Sequence, residues 1–127
     1  MSLSRSDVQE LYTRNIDRYA SFIGAFQSTQ GMQALLKSSN LLRAGIRVLD
    51  AGCGFGMVTF ALLRALREKN LDYETIHAFD LTPAMLARFQ SELQIRGISR
   101  VQLQQADALA LEMLVFILIT SRFQLFV

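Results

Sequence analysis

Asp50, Gly52, Gly54 and Gly56 stand at alternate positions in the string RVLDAGCGFGMVT, residues 47–59, where an apolar run meets an acid and breaks into glycines. Glycines at this density let a backbone turn sharply and bring its amides against a ligand where a Cβ would collide. The acid before them adds a hydrogen-bond acceptor and a negative charge. Ile46, Val48 and Leu49 predict a short buried strand ending at Asp50, and residues 57–69 predict the helix that follows. A strand, a glycine turn and an opening helix build the ligand crevice of an open α/β sheet, outside the carboxyl ends of its strands.

The spacing narrows the ligand. A dinucleotide turn, G-x-G-x-x-G or its alanine variant, needs a small third residue at position 57 or 59, and the chain has Met57 and Thr59 there. A Walker-type phosphate loop needs Gly-Lys-Ser/Thr after the glycines, and none follows. An acid followed by G-x-G-x-G, Asp50 through Gly56, is what stands here. In these residues the chain resembles the class I S-adenosylmethionine-dependent methyltransferases, especially the small-molecule type, whose first motif looks like VLDAGCGFG. The resemblance implies a Rossmann-like fold, S-adenosylmethionine as cofactor, and cofactor contacts from Asp50, Gly52, Cys53, Gly54 and Gly56. Charge agrees, because a pyrophosphate favours a helix N-terminus with no acid beside it, whereas a sulfonium and an ammonium welcome a carboxylate.

Residues 75–79, TIHAF, predict the second strand, with Asp80 at its carboxyl end. In a doubly wound fold an acid at that place accepts hydrogen bonds from ribose hydroxyls, and the next side chain, Leu81, lies against the base. Nicotinamide enzymes use such an acid too, so Asp80 alone does not separate the families. VQLQQ, Val101–Gln105, predicts the third strand. The resemblance implies that Asp107 just beyond it faces the adenine amino group and that the Ala108 amide meets a ring nitrogen. Met85 stands close enough to the adenine place to touch it.

The elements that must position these residues follow from the chain between them. Thr82 and Pro83 start a helix that runs to about Arg96 and stops at Gly97. Its Met85, Leu86, Phe89 and Leu93 read as core. Ser6 or Asp7 caps a first helix through Tyr12, Ile16 and Tyr19, and a second helix is expected over residues 32–42. The resemblance implies that this N-terminal segment is a cap over cofactor and substrate, with Tyr12 and Tyr19 as lid residues. The fold class is therefore α/β and Rossmann-like: a mostly parallel, incomplete sheet with flanking helices, organised as cap (1–44), cofactor-binding core (45–108) and apolar tail (109–127).

With 127 residues, 51 % of them hydrophobic, the chain suits one globular domain. The net charge is +2, yet the arginines are scattered singly among acids, with no basic run to track a phosphate backbone, so nucleic acid is not indicated. Cys53 is the only cysteine and His77 the only histidine. That excludes an intrachain disulfide and a metal cluster built on these residue types, and suits a reducing, cytoplasmic setting. Cys53 reads as a compact hydrophobe required by packing, and His77 as a strand residue that packs or bonds to backbone. The start MSLSRSDVQELY lacks a secretory signal's apolar stretch, and the longest apolar run, residues 113–119, is far short of the roughly 20 residues of a membrane-spanning helix.

Beyond Asp107 the pattern departs from the family. Residues 109–127 hold no glycine or proline, and the polar loop expected before a fourth strand is missing, so the chain reads as truncated after the third motif. Residues 113–119 predict that fourth strand. A further strand at 123–127 is joined to it only by residues 120–122, too few for a parallel crossover, so the two would pair as a hairpin or not at all. An apolar unpaired edge is a route to self-association. The leading expectation is methyl transfer from S-adenosylmethionine to a small acceptor, with no catalytic residue assigned, because aligning an activated methyl group supplies much of the rate. The alternatives are a module that holds S-adenosylmethionine or S-adenosylhomocysteine without turnover or works only with a partner chain, and a nicotinamide oxidoreductase.

Overall fold

A computed structural model describes residues 4–16, 41–107 and 125–126. Its elements are α1 (Arg5–Arg14), β1 (Ile46–Ala51), α2 (Met57–Glu68), β2 (Tyr73–Asp80), α3 (Pro83–Ile95), β3 (Val101–Gln105) and β4 (Leu125–Phe126). The strands lie in the order β3-β2-β1-β4, and each neighbouring pair is parallel. This is the open, Rossmann-like arrangement expected from the sequence.

Burial explains the central strand. Ile46, Val48 and Leu49 are fully buried, on both faces of β1, as a parallel strand covered on each side requires. Ile46 and Val48 pack with Leu62, Ala65 and Leu66 of α2 and Ile76 of β2. The spacing of 62, 65 and 66 is that of one helical stripe turned to the sheet. Phe89 and Leu93 of α3 pack with Ala78 and Cys53. The α2 and α3 helices share one face of the sheet, where the rings of Phe60 and Phe89 stand 5.4 Å apart. Two successive steps in one direction, each right-handed, place them there.

Several boundaries differ from expectation. Ser4, not Ser6 or Asp7, caps α1: its Oγ accepts the Asp7 amide at 3.2 Å while its own amide donates to Asp7 Oδ2 at 2.9 Å, so Asp7 serves as the reciprocating acid of a capping box. Tyr73, earlier than residue 75, opens β2. Leu125 and Phe126 pair in parallel with Val48 and Leu49. Residues 113–119 and nearly all of the helix expected at 32–42 lie outside the described residues. Among the described residues no helix is long and apolar enough to cross a membrane.

Candidate functional site

Parallel pairing brings the carboxyl ends of β1, β2 and β3 to one rim, with Asp50 opposite Ala78 and Asp80 opposite Gln105. A cavity of about 280 Å³ opens there. Gly52 and Gly54 wall it from the loop after β1, Phe79, Asp80, Leu81 and Thr82 from the end of β2, and Met85 from α3. Ala106 and Asp107 close it beyond β3, and Val8 and Tyr12 of α1 lie over it. A larger groove of about 960 Å³ follows α2 to the turn before β3 and includes none of the residues singled out as cofactor contacts.

The glycine loop is shaped by β2. The amides of Gly52 and Cys53 both donate to the Phe79 carbonyl at 2.9 Å, and the Gly54 amide donates to Asp80 Oδ2 at 2.8 Å. Asp80 Oδ1 accepts the Thr82 amide at 2.9 Å. A carboxylate offers about four acceptor positions, so Asp80 keeps capacity toward the cavity after fixing both flanking loops. Gly54 has φ +55° and an added Cβ there meets nothing within 4 Å, which leaves bare backbone in the cavity wall. Gly56 has φ +98°, and a Cβ there would come within 2.6 Å of the Phe89 ring. The first glycine serves approach to the cavity; the second serves packing of α2 on α3.

The three rim acids sit at different depths. Asp50 is 2 % exposed and lies outside the cavity lining, and its Oδ2 accepts a hydrogen bond from Thr59 Oγ1 of α2 at 2.5 Å. Burial pushes its carboxyl up to about 6, against the Thr59 hydrogen bond that favours the charged form, with the Asp80 carboxylate adding to the rise. Asp80 and Asp107 reach the cavity. Arg5 Nε pairs with Asp107 Oδ2 at 2.7 Å, and Leu81 O accepts from Gln9 Nε2 at 2.7 Å and from Gln105 Nε2 at 3.3 Å.

Cys53 is buried below the loop, where burial and then the Asp50 and Asp80 carboxylates push its thiol far above the ordinary range. No thiolate is poised there, consistent with a packing role. His77 Nε2 shares a hydrogen bond with the side chain of Gln104 on β3 at 3.0 Å. Met85 is 2 % exposed and Tyr12 38 %. Tyr19 and Ala108 lie outside the described residues. Val8, Phe79, Thr82 and Ala106 also line the cavity, and none of them was singled out for it from the sequence. Among the described residues no histidine or cysteine lines the cavity, and no group of three or more His, Cys, Asp or Glu could hold a metal ion. The arrangement suits binding and orienting a ligand with donors for two carboxylates and an apolar face for Leu81 and Met85.

A family model described as a methyltransferase domain matches residues 42–123. No curated protein matches the chain. Among solved structures it is similar to magnesium protoporphyrin IX methyltransferase from Synechocystis PCC 6803 with bound S-adenosylmethionine: 20 % identity, TM-score 0.61, over 84 % of this chain and 56 % of that one. It is similar to the YcgJ protein from Bacillus subtilis at 26 % identity and TM-score 0.51, over 62 % of this chain and 31 % of that one. It also resembles the [4+2]-cyclase SpnF at 20 % identity and TM-score 0.57, over 84 % of this chain and 44 % of that one. The chain thus spans 56 % or less of the length of each of these structures.

Proposed function

This chain belongs to the methyltransferase-domain family, and on that premise we propose that its rim cavity holds S-adenosylmethionine for methyl transfer to a small-molecule acceptor. The observation that carries the reading is Asp80: one carboxylate fixes the glycine loop and the start of α3 while facing the cavity. In this reading Asp80 accepts the ribose hydroxyls, Leu81 and Met85 lie against the base, and Asp107 accepts from the adenine amino group. The backbone at Gly52 and Gly54 lets the amino-acid end pass close to the chain. Asp50, buried behind the loop, is mostly ionised at pH 7 and supports the positive end of the ligand through its charge. The cavity volume of about 280 Å³ is just under the roughly 300–1,000 Å³ common for ligand pockets.

When bound, S-adenosylmethionine supplies a methyl group already activated by its sulfonium. What the chain itself does is orient: alignment of a nucleophile with an activated group removes much of the barrier without an acid–base device. No cavity side chain is assigned as a base.

A second reading is a module that binds S-adenosylmethionine or S-adenosylhomocysteine without turnover or acts only with a partner chain. The named activity of SpnF, a cyclase, also illustrates that this fold hosts other chemistry. Calorimetric titration with S-adenosylmethionine, S-adenosylhomocysteine and NAD tests the ligand class. Binding of the first two and not the third supports both readings; tighter binding of NAD overturns them. Release of S-adenosylhomocysteine on addition of a panel of small acceptors then separates the enzyme from the module.

A further inference from the structure

The α1 helix meets the rim through one face and has no buried residue of its own. Arg5, Val8, Gln9 and Tyr12, at intervals of three and four, share that face. Val8 and Tyr12 line the cavity, Gln9 Nε2 donates to Leu81 O, and Arg5 Nε pairs with Asp107 Oδ2. The Ser4–Asp7 capping box makes Arg5 the first helical residue and so fixes where its side chain departs. The two polar ties therefore end on Leu81 and Asp107, the groups that flank the base in the proposed site.

We propose that Arg5 is a positioning residue that sets the base preference of the cavity by holding the Asp107 carboxylate as an acceptor toward the six-position of a purine, with Gln9 steadying the Leu81 carbonyl beside it. This rests on the reading of the cavity as an S-adenosylmethionine site. The side chain of Asp107 is 16 % exposed, whereas that of Arg5 is 71 % exposed. The acid is the inner partner, and the arginine reaches it from solvent. A guanidinium is always charged, so the pair holds the Asp107 carboxylate by charge at its Oδ2. Each carboxylate oxygen has two acceptor positions, so the ion pair leaves Asp107 able to take an amino hydrogen. A carboxylate held in this way attracts the six-amino group of adenine and repels the six-oxo group of hypoxanthine. Because the coupling is reciprocal, a ligand that engages Asp107 and the Leu81 segment also steadies α1.

The test compares S-adenosylhomocysteine with S-inosylhomocysteine, which differ in the six-substituent and in the N1 proton that the oxo form carries, on the full chain and on Arg5→Ala, Arg5→Lys and Gln9→Ala, by calorimetry and by amide exchange over Arg5–Arg14. The full chain is expected to favour the adenine ligand by about tenfold or more, the scale of one hydrogen bond to a charged group. Arg5→Ala should cut that preference to below about threefold, Arg5→Lys should restore part of it, and Gln9→Ala should weaken adenine-ligand binding by about threefold. S-adenosylhomocysteine should slow exchange in α1 of the full chain and not of Arg5→Ala. If Arg5→Ala keeps the full preference, or weakens both ligands equally, the positioning role is overturned while the cofactor reading stands. If the full chain binds neither ligand, both fall together.

Discussion

The Asp80 carboxylate and the Gly54 amide, 26 residues apart in sequence, meet at 2.8 Å, so the acid ending β2 is also the brace of the loop leaving β1. The ligand wall and the ligand acceptor are thus one unit, and disturbing either disturbs both.

Asp80→Ala is expected to weaken S-adenosylmethionine binding by on the order of 1 to 3 kcal/mol, through lost acceptors and a loosened Gly54 segment together. Asp80→Asn keeps one acceptor oxygen and should lose less. Calorimetry gives both values, and unchanged affinity in Asp80→Ala would refute the assignment of the ribose site.

The two glycines should separate by phenotype. Gly54→Val places a β-branched residue at φ +55° in the cavity wall and is expected to abolish binding. Gly56→Ala forces a methyl against Phe89 and should chiefly lower stability, by about 1–3 kcal/mol for the backbone alone. Thermal unfolding and ligand titration of both variants check the distinction.

The buried Asp50 makes stability depend on pH. Its folded value of about 6 lies above its ordinary value of 3.8, so between these two the folded state binds more protons than the unfolded one. This contribution is fully present below the lower value and is lost as pH rises through about 6. Asp50→Asn should remove it, gaining on the order of 2 to 3 kcal/mol relative to the parent chain between about pH 3.5 and pH 7. Denaturant unfolding at several pH values, with the parent subtracted, isolates the effect from the other acids. Thr59→Val, which deletes the hydroxyl donor to Asp50, should push the Asp50 carboxyl higher still, a shift followed by side-chain NMR titration.

Cys53 should resist alkylation. A buried thiol facing two carboxylates offers little thiolate, so reaction with iodoacetamide at pH 8 is expected to be slower by at least about tenfold in the folded chain than in denaturant. Equal rates by mass spectrometry would show that the loop opens freely.

Much of this site was legible because its signals are local. An apolar run before Asp50, glycines at alternate positions, and a Thr-Pro helix start each constrain the backbone within a few residues, and the strands and helices formed where those signals stood. The depth of each acid was not legible. The burial of Asp50 is set by Thr59, which reaches it from the next helix, whereas Asp80 stays at the cavity because both its oxygens are drawn to loop amides. The ties from α1 were hidden for the same reason at longer range: Gln9 and Leu81 are 72 positions apart, and no spacing rule connects them. The pairing of Leu125 and Phe126 with β1 was not legible because two residues carry no periodicity and their partners stand 77 positions earlier.

The Phe79 carbonyl, by receiving the amides of both Gly52 and Cys53, fixes an order of events as the polypeptide leaves the ribosome. The glycines emerge early, but the atom that bends them emerges only when the second strand is nearly finished. A nascent chain arrested before Phe79 has the local Gly56–Cys53 turn but lacks the carbonyl that ties the loop to the second strand.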